Sequence, residues 1–334
     1  MEKSIKLRAD IELGVCPTHV KFVGGLVPGD DSKLPRNEDG ALRALKERSP
    51  VEIHSVQISQ FNGTDADDLT DLYSGLKDLG LTVYIILMVG GADPMNPADE
   101  DAVVAQLVEG IETAKKFGAT QVGSTSFEEW LSGKPRKEGA DFEAAVEQVI
   151  NVHQRVYEEA DIANSDIEMW HLEFLRGTEF ETFTDCGRAW KVAKGLNDRV
   201  GKKFFRLLID AAHCGDGPLS LDENAKLIAE IAASGEMGMF HASAKTTRGC
   251  LSTDDGWIGA LLTECAKTGK LEQVIVELFH HEDEALVPMR EAIAGHGDDT
   301  LDGRSYTETV VDGLESVARR INNLVARGVL PEKS

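Results

Sequence analysis

A regular alternation of short β-rich runs with longer helical segments is the feature that most constrains the fold of this chain. Eight runs rich in apolar residues predict strands, the first near residues 5–13 and the others at residues 51–58, 81–89, 121–124, 167–174, 204–210, 237–242 and 273–278. Between them, apolar residues recur at the i, i+3, i+4 and i+7 spacing of an amphipathic helix. This alternation predicts a parallel sheet, and eight units favour its closure into a (β/α)₈ TIM barrel of the α/β class.

One such barrel accounts for most of the 334 residues, so we expect a single domain over residues 1–334. Extra C-terminal helices are predicted after the eighth strand, at residues 284–294 and 306–325, and a loop rich in Gly and Pro is predicted at residues 24–40. An open doubly wound sheet is the alternative, but no glycine-rich dinucleotide fingerprint follows the first strand. The sequence therefore predicts a TIM barrel with no nucleotide cofactor.

The acidic composition limits the partners of the chain. It has 35 basic and 58 acidic side chains, a net charge of −23, which repels phosphate backbones and anionic lipids and argues against nucleic-acid and membrane partners. The five cysteines are scattered without a Cys-x-x-Cys pair, which is typical of reduced thiols. We see no signal peptide and no run approaching the ~20 apolar residues that a membrane span needs. These observations predict a cytoplasmic protein.

Metal-capable side chains stand at the ends of four successive predicted strands. The fifth to eighth strands end at or near Glu173, Asp210, His241 and Glu277. Catalytic groups of TIM barrels gather at the carboxyl ends of the strands, so these four side chains are expected to meet at one rim. Any one of them alone would be read as a buried polar residue with a local partner. Four in succession indicate a site.

The residue types of this set favour a bound cation. Three carboxylates at one rim repel one another strongly unless a cation lies among them. Three oxygen ligands and one imidazole suit Mn²⁺, Mg²⁺ or Co²⁺ better than a tetrahedral structural zinc ion. The sequence therefore predicts one divalent cation held by Glu173, Asp210, His241 and Glu277.

The order Glu, Asp-x-x-His, His, Glu on strands five to eight resembles the xylose-isomerase-like superfamily, and especially the ketose 3-epimerases. The resemblance covers residues 167–278, while the first half matches only in its strand–helix rhythm. Three further residues match substrate-binding positions of that family. They are Glu179, in a Glu-x₅-Glu spacing from Glu173; His213, which completes Asp-Ala-Ala-His; and Arg248, one residue further along than expected.

This resemblance implies a sugar isomerase or epimerase that acts on an unphosphorylated ketose or a related sugar and forms a dimer or tetramer. Glu173 and Glu277 would then be both metal ligands and catalytic proton-transfer groups, one removing a proton and the other returning it through an enediolate. The resemblance also implies that Glu179, His213 and Arg248 hold the terminal hydroxyl and carbonyl oxygens. Two milder interpretations stay open, in which His213 only hydrogen-bonds to the metal ligands and Arg248 pairs with Asp254 or Asp255.

Other functions stay open at this point. A metal-dependent lyase that cleaves a 3-keto-glycoside resembles the same superfamily and needs the same proton abstraction. A DNA-repair enzyme similar to endonuclease IV shares the barrel, but it needs further metal-binding histidines and a basic face. A non-catalytic binding protein predicts a broken ligand set, whereas all four positions are intact.

Two features outside the ligand set also carry expectations. His153 lies in a polar helical segment and is expected to be solvated. The acidic run Glu282-Asp283-Glu284 follows the eighth strand, where TIM barrels commonly bind phosphate. An acidic loop at that position argues against a phosphorylated substrate.

Overall fold

The computed structural model describes residues 3–18, 25–26, 33–34, 38–60, 66–249, 255–283, 286–297 and 302–333. Eight parallel strands close into a barrel, each beside the next along the chain and the last beside the first. They are β1 (Glu12–Cys16), β2 (Ser55–Gln60), β3 (Thr82–Leu87), β4 (Gln121–Ser124), β5 (Met169–Glu173), β6 (Phe205–Asp210), β7 (Met237–Ala242) and β8 (Gln273–Glu277). The predicted (β/α)₈ barrel is therefore confirmed.

Helices follow the strands in the expected order. They are α1 (Glu38–Arg48), α2 (Ala66–Asp78), α3 (Glu100–Phe117), α4 (Gly139–Glu159), α5 (Cys186–Val200), α6 (Ala211–Gly215), α7 (Leu221–Ala233), α8 (Trp257–Lys267), α9 (Val287–Ala292) and α10 (Tyr306–Ala326). The 3₁₀ turns Pro97–Asp99 and Ile162–Asn164 complete the set of described helical segments. Among the described residues, no helix combines the length and apolar character that crossing a bilayer requires.

The predicted position of the first strand is wrong. The sequence placed it near residues 5–13, whereas β1 begins at Glu12 and ends at Cys16. β1 pairs with β8 in register from Glu12 beside Gln273 to Cys16 beside Glu277. The described upstream residues, 3–11, alternate between exposed and buried or partly buried, and among them only Ile5 forms a bridge, with Val51. Alternation alone does not show which residues have a neighbouring strand to pair with.

The two C-terminal helices take different roles. The helix predicted at residues 306–325 is confirmed as α10, which begins with a capping box between Ser305 and Glu308. It packs against β8, α1 and α8 and so takes the place of the eighth barrel helix. The helix predicted at residues 284–294 is shorter, since α9 covers Val287–Ala292 and residues 284–285 lie outside the described residues. Most of the predicted loop at 24–40 also lies outside them.

The prediction that His153 is solvated is wrong. Its side chain is fully buried on α4, with Nε2 2.7 Å from Ser126 Oγ and Nδ1 2.8 Å from the Val149 carbonyl oxygen. A carbonyl only accepts, so Nδ1 carries the proton and Nε2 accepts from the hydroxyl. Burial lowers the pKa of His153 to about 4. The helix periodicity could not show that His153 is buried, because one of its partners comes from a neighbouring loop and the other from the backbone of its own helix.

This buried histidine predicts a specific loss of stability in acid. The unfolded chain protonates His153 below about pH 6.5 and the folded chain only near pH 4, so stability falls as the pH drops through that window. Between pH 7 and pH 5 we expect the wild type to lose about 2 kcal/mol more than His153→Gln, whose amide does not titrate. Urea unfolding of both proteins at the two pH values measures this. Equal losses would contradict a neutral buried imidazole.

Candidate metal centre

The structure brings the four predicted ligand side chains together at the carboxyl ends of β5 to β8. One ligand atom from each of Glu173, Asp210, His241 and Glu277 lies within 4.8 Å of all the others, and all four residues are buried. His241 is central, because its Nδ1 lies 3.5 Å from Glu173 Oε1, 3.8 Å from Asp210 Oδ2 and 3.6 Å from Glu277 Oε2. The parallel register thus produces the cluster that the strand ends predicted.

Asp210 has two separate contacts, one for each carboxylate oxygen. It ends β6 and caps α6, with Oδ1 accepting from the backbone N–H groups of Ala212 (2.6 Å) and His213 (2.9 Å). A short acidic side chain is a preferred helix N-cap, which explains why helix α6 begins directly after the strand. The cap fixes the carboxylate so that Oδ2 faces the cluster.

The charges of the cluster are poorly compensated by the protein itself. Burial raises the pKa of Asp210 to about 7, and it also raises the pKa of Glu173. Burial alone would lower the pKa of His241, but the carboxylates of Glu173 and Glu277 raise it to about 10. Burial likewise opposes ionisation of Glu277, yet Arg248 and His241 lower its pKa to about 2. Arg248 and His241 thus offset only part of the negative charge of the three carboxylates.

The residues fit a divalent cation. Among the described residues, Asp210 Oδ2 and both ring nitrogens of His241 are buried without a hydrogen-bond partner. Such groups are costly in a protein interior unless something binds them. Three carboxylate oxygens and one imidazole nitrogen, all facing one point, form a donor set typical of a divalent ion site. The geometry therefore supports one cation held by these four side chains.

The three predicted substrate-binding residues lie beside this cluster. His213 Nε2 is 3.5 Å from Glu173 Oε1, and Arg248 Nη1 is 2.8 Å from His213 Nε2. Arg248 Nη2 pairs with Glu277, and not with Asp255, which is near Lys245. Asp254 lies outside the described residues. The structure therefore places Arg248 at the site despite its shifted sequence position.

Arg248 is held in a strained backbone. Its φ is 56°, and that of Thr246 is 63°, in the left-handed region that non-glycine residues rarely adopt. Backbone strain of this kind is retained where surrounding structure enforces it, often at functional sites. Hydrogen bonds from Arg248 N to Ala244 O and from Phe279 N to Arg248 O enforce it here. From this backbone conformation, the guanidinium of Arg248 pairs with Glu277.

Arg176 is a site residue that sequence analysis missed. Its side chain is 1% exposed, and its Nε donates to Glu179 Oε2 (3.0 Å), while Nη1 donates to Asp216 Oδ2 (2.6 Å) and Thr246 O (3.1 Å). Its backbone N–H donates to His213 Nδ1 (3.1 Å). Arg176 thus positions two of the predicted substrate-binding residues. Arg176 belongs to no sequence motif, so no pattern in the sequence indicated its role.

Cys16 is a second neighbour that the sequence did not indicate. The β1–β8 register sets Cys16 beside Glu277. Burial raises the pKa of the Cys16 thiol well above its usual range, and the negative charges of Glu277 and Glu173 raise it further. The thiol is therefore neutral and not a nucleophile. Since the first strand was predicted to end near residue 13, this neighbour could not be foreseen.

Comparison with known proteins gives no match of the sequence to any protein-family model or to any curated protein. Solved structures are similar. A D-allulose 3-epimerase from Methylomonas sp. is 15% identical, with a TM-score of 0.69 over 95% of this chain and 100% of that one. A D-psicose 3-epimerase from Clostridium cellulolyticum H10 is 14% identical, with a TM-score of 0.61 over 94% and 99%.

A third similar structure has a different activity. The AP endonuclease, family 2, from Brucella melitensis is 14% identical, with a TM-score of 0.58 over 85% of this chain and 99% of that one. At these identities the similarity shows the fold alone, a closed (β/α)₈ barrel. One fold hosts several activities, so the activity has to be argued from the site.

Proposed function

We propose that this protein is a divalent-metal-dependent isomerase or epimerase of an unphosphorylated ketose or a related sugar. The observation that carries the proposal is the meeting of Glu173 and Glu277, from the non-adjacent strands β5 and β8, on either side of His241. Two carboxylates around one metal site are suited to removing a proton from one carbon and returning one. The ketose 3-epimerases with the same fold support this choice.

In the proposed reaction, the ion activates the sugar and two carboxylates of the site transfer the protons. When bound by Glu173, Asp210, His241 and Glu277, a divalent ion polarises a sugar carbonyl and acidifies the neighbouring C–H. One of Glu173 and Glu277 removes that proton, giving an enediolate, and the other carboxyl group returns a proton. The face of the enediolate that receives the returned proton decides whether the product is an epimer of the substrate.

The residues beside the cluster would hold the sugar. His213 is neutral, because burial and the charges of Arg248 and Arg176 lower its pKa well below the usual range. A neutral imidazole and a fixed guanidinium are suited to binding uncharged hydroxyl and carbonyl oxygens. Glu179, held by Arg176, would accept a hydrogen bond from the terminal hydroxyl. Orienting the reacting carbon in this way is a main source of rate enhancement.

The loop after β8 supports an uncharged substrate. Glu282 is exposed in this loop, and Asp283 is fully buried beside it. These acidic side chains disfavour a phosphate at the position where TIM barrels commonly bind one. We therefore propose a free sugar as the substrate.

The alternative functions have less support. The metal-capable cluster found among the described residues contains a single histidine, whereas an endonuclease IV-like enzyme needs several, and a net charge of −23 opposes DNA binding. The lyase alternative is unsupported, since neither the site nor the similar structures favour cleavage of a glycoside. The complete ligand set argues against a protein that only binds sugar.

Several finer points are part of the proposal. We propose Mn²⁺ as the ion, with Mg²⁺ and Co²⁺ as alternatives, because oxygen-rich sites of this kind accept all three. A cytoplasmic location, a dimer or tetramer, and a single domain over residues 1–334 stay predictions.

The test is turnover of a panel of free ketoses in deuterated water. Protein stripped of metal and reloaded with Mn²⁺, Mg²⁺ or Co²⁺ is incubated with ketohexoses and ketopentoses. We expect about one ion per chain and a product carrying one deuterium at the altered carbon, because the returned proton comes from exchangeable carboxyl groups. Metal-free protein is expected to be inactive. Consumption of a 3-keto-glycoside in place of every ketose would overturn the proposal.

A further inference from the structure

His296 reaches the site from the loop after β8. Its side chain is fully buried, and its ring packs on that of Phe279 with centroids 5.1 Å apart. On the same Phe279 ring, the guanidinium carbon of Arg248 lies 4.8 Å from the centroid. The next residue, Gly297, has a φ of 69° and donates from its backbone N–H to Thr247 O (2.7 Å). Two loops therefore converge to hold His296 next to the predicted substrate-binding arginine.

The contacts of His296 define where its proton lies. Arg176 Nη2 contacts His296 Nδ1, and a guanidinium only donates, so Nδ1 accepts. Burial and the charges of Arg248, Arg176 and Arg290 lower the pKa of His296 to about 3, so the ring is neutral. A neutral imidazole that accepts at Nδ1 carries its proton at Nε2. Nε2–H is thus a hydrogen-bond donor.

That donor has no acceptor in the described part of the chain. His296 Nε2 is buried without a hydrogen-bond partner, and so is Nε of the neighbouring Arg248. Two unpaired buried donors, contributed by two loops beside one aromatic ring, are unfavourable by themselves. An oxygen atom of a ligand that reaches His296 Nε2 would satisfy that donor.

We propose that His296 is a further substrate-binding residue, whose Nε2–H donates to the oxygen on carbon 1 of the bound ketose. This inference rests on the proposed function, in which Glu179, His213 and Arg248 hold the terminal hydroxyl and the carbonyl. The guanidinium of Arg176 contacts both His296 and Glu179, and its backbone N–H donates to the His213 ring, so His296 lies at the same end of the sugar.

The consequence is selectivity for a ketose with a hydroxyl group on carbon 1. A site built to donate to an oxygen disfavours an analogue that lacks it, because the buried donor stays unpaired. The wild type should therefore prefer a ketose over its 1-deoxy derivative by about tenfold to a hundredfold in kcat/KM. Without the imidazole, this preference should fall to the part that Glu179 supplies.

The experiment compares His296→Phe, which can still pack on Phe279, with His296→Gln, which keeps an N–H donor. His54→Gln is the matched control, since His54 precedes β2 at the opposite end of the barrel. Each protein is assayed with the ketose that the wild type turns over and with its 1-deoxy derivative. We expect His296→Phe to raise KM for the ketose about tenfold to a hundredfold, with kcat and metal content little changed and the 1-deoxy sugar unaffected. His296→Gln should be intermediate, and the control should match the wild type.

A second measurement separates this inference from the proposed reaction. Nitrogen NMR of Mg²⁺-loaded protein with ¹⁵N-labelled histidine reports protonation of each ring nitrogen, and the His296→Phe variant identifies the His296 signals. We expect a protonated Nε2 whose signal shifts with D-fructose but much less with 1-deoxy-D-fructose. If D-fructose shifts the signal and no ketose is turned over, the reaction fails and the inference stands. An unprotonated Nε2, no shift with D-fructose, or equal kinetic losses for both sugars would overturn the inference.

Discussion

Replacing Glu277 with glutamine is expected to remove both the bound cation and the activity. Glutamine keeps the size of the side chain but removes the charge that faces His241 at 3.6 Å and pairs with Arg248. The variant loses a metal ligand and a proton-transfer group at once, so turnover should fall by at least about a thousandfold. Metal content measured by mass spectrometry should fall in parallel from about one ion per chain.

The matched control for this change is Glu282→Gln, in the loop that follows β8. Its side chain is exposed, so activity and metal content should stay at wild-type levels. Thermal unfolding of metal-free Glu277→Gln should show a folded protein, because one of three crowded carboxylates has been neutralised. If Glu277→Gln binds metal as the wild type does, the proposed ligand set is wrong.

Replacing Arg176 with methionine is expected to cause the largest loss of stability. Arg176 is 1% exposed and donates to the carboxylates of Glu179 and Asp216, so the variant leaves two acidic groups without their cation. Breaking a buried ion pair by removing one partner costs about 3–5 kcal/mol. Urea unfolding should show a loss of that size, and sugar binding should weaken because Glu179 loses the side chain that holds it.

Arg155→Met is the matched control for the loss of an arginine that contacts several carboxylates. Arg155 contacts Glu100, Asp101 and Glu159, but its side chain is 36% exposed. Solvent screens these pairs, so the expected loss is below about 1 kcal/mol. If Arg176→Met does not fold, Arg176→Lys is measured in its place. Lysine keeps the positive charge but lacks the planar guanidinium and its several N–H donors. Losses of similar size at the two positions would contradict the structural role given to Arg176.

The barrel and its ligand set were predictable because both depend on local pattern. Each of strands β5 to β8 is an apolar run that ends in a metal-capable residue, and parallel closure brings such ends to one rim. The Asp-x-x-His spacing also reflects local structure, since Asp210 caps the helix that carries His213. These inferences need no knowledge of which loops meet.

The remaining site residues depend on contacts between loops distant in sequence. Arg176 meets His296 across 120 positions, and no periodicity reports such a pairing. The partner of Arg248 was open for the same reason, because the sequence offered the nearby Asp254 and Asp255 and gave no sign of Glu277, 29 positions away. His153 and the start of β1 were mispredicted because burial and strand pairing depend on neighbours from other segments.

The contacts of Arg176 make the loops after β5 to β8 depend on one another more than on the loops at the other side of the barrel mouth. The loops after β5 to β8 share one buried arginine, so a change of length or sequence in any of them disturbs the others. None of the contacts described for Arg176 reaches the loops after β1 to β4. The loop after β4 is tied to the loop after β5 by other contacts, since Leu131 N donates to Glu179 O and Arg136 donates to Thr184. New sugar preferences should therefore arise more readily by exchange of the loops after β1 to β3. Chimaeras that graft them from a ketose 3-epimerase are the natural starting point for redesign.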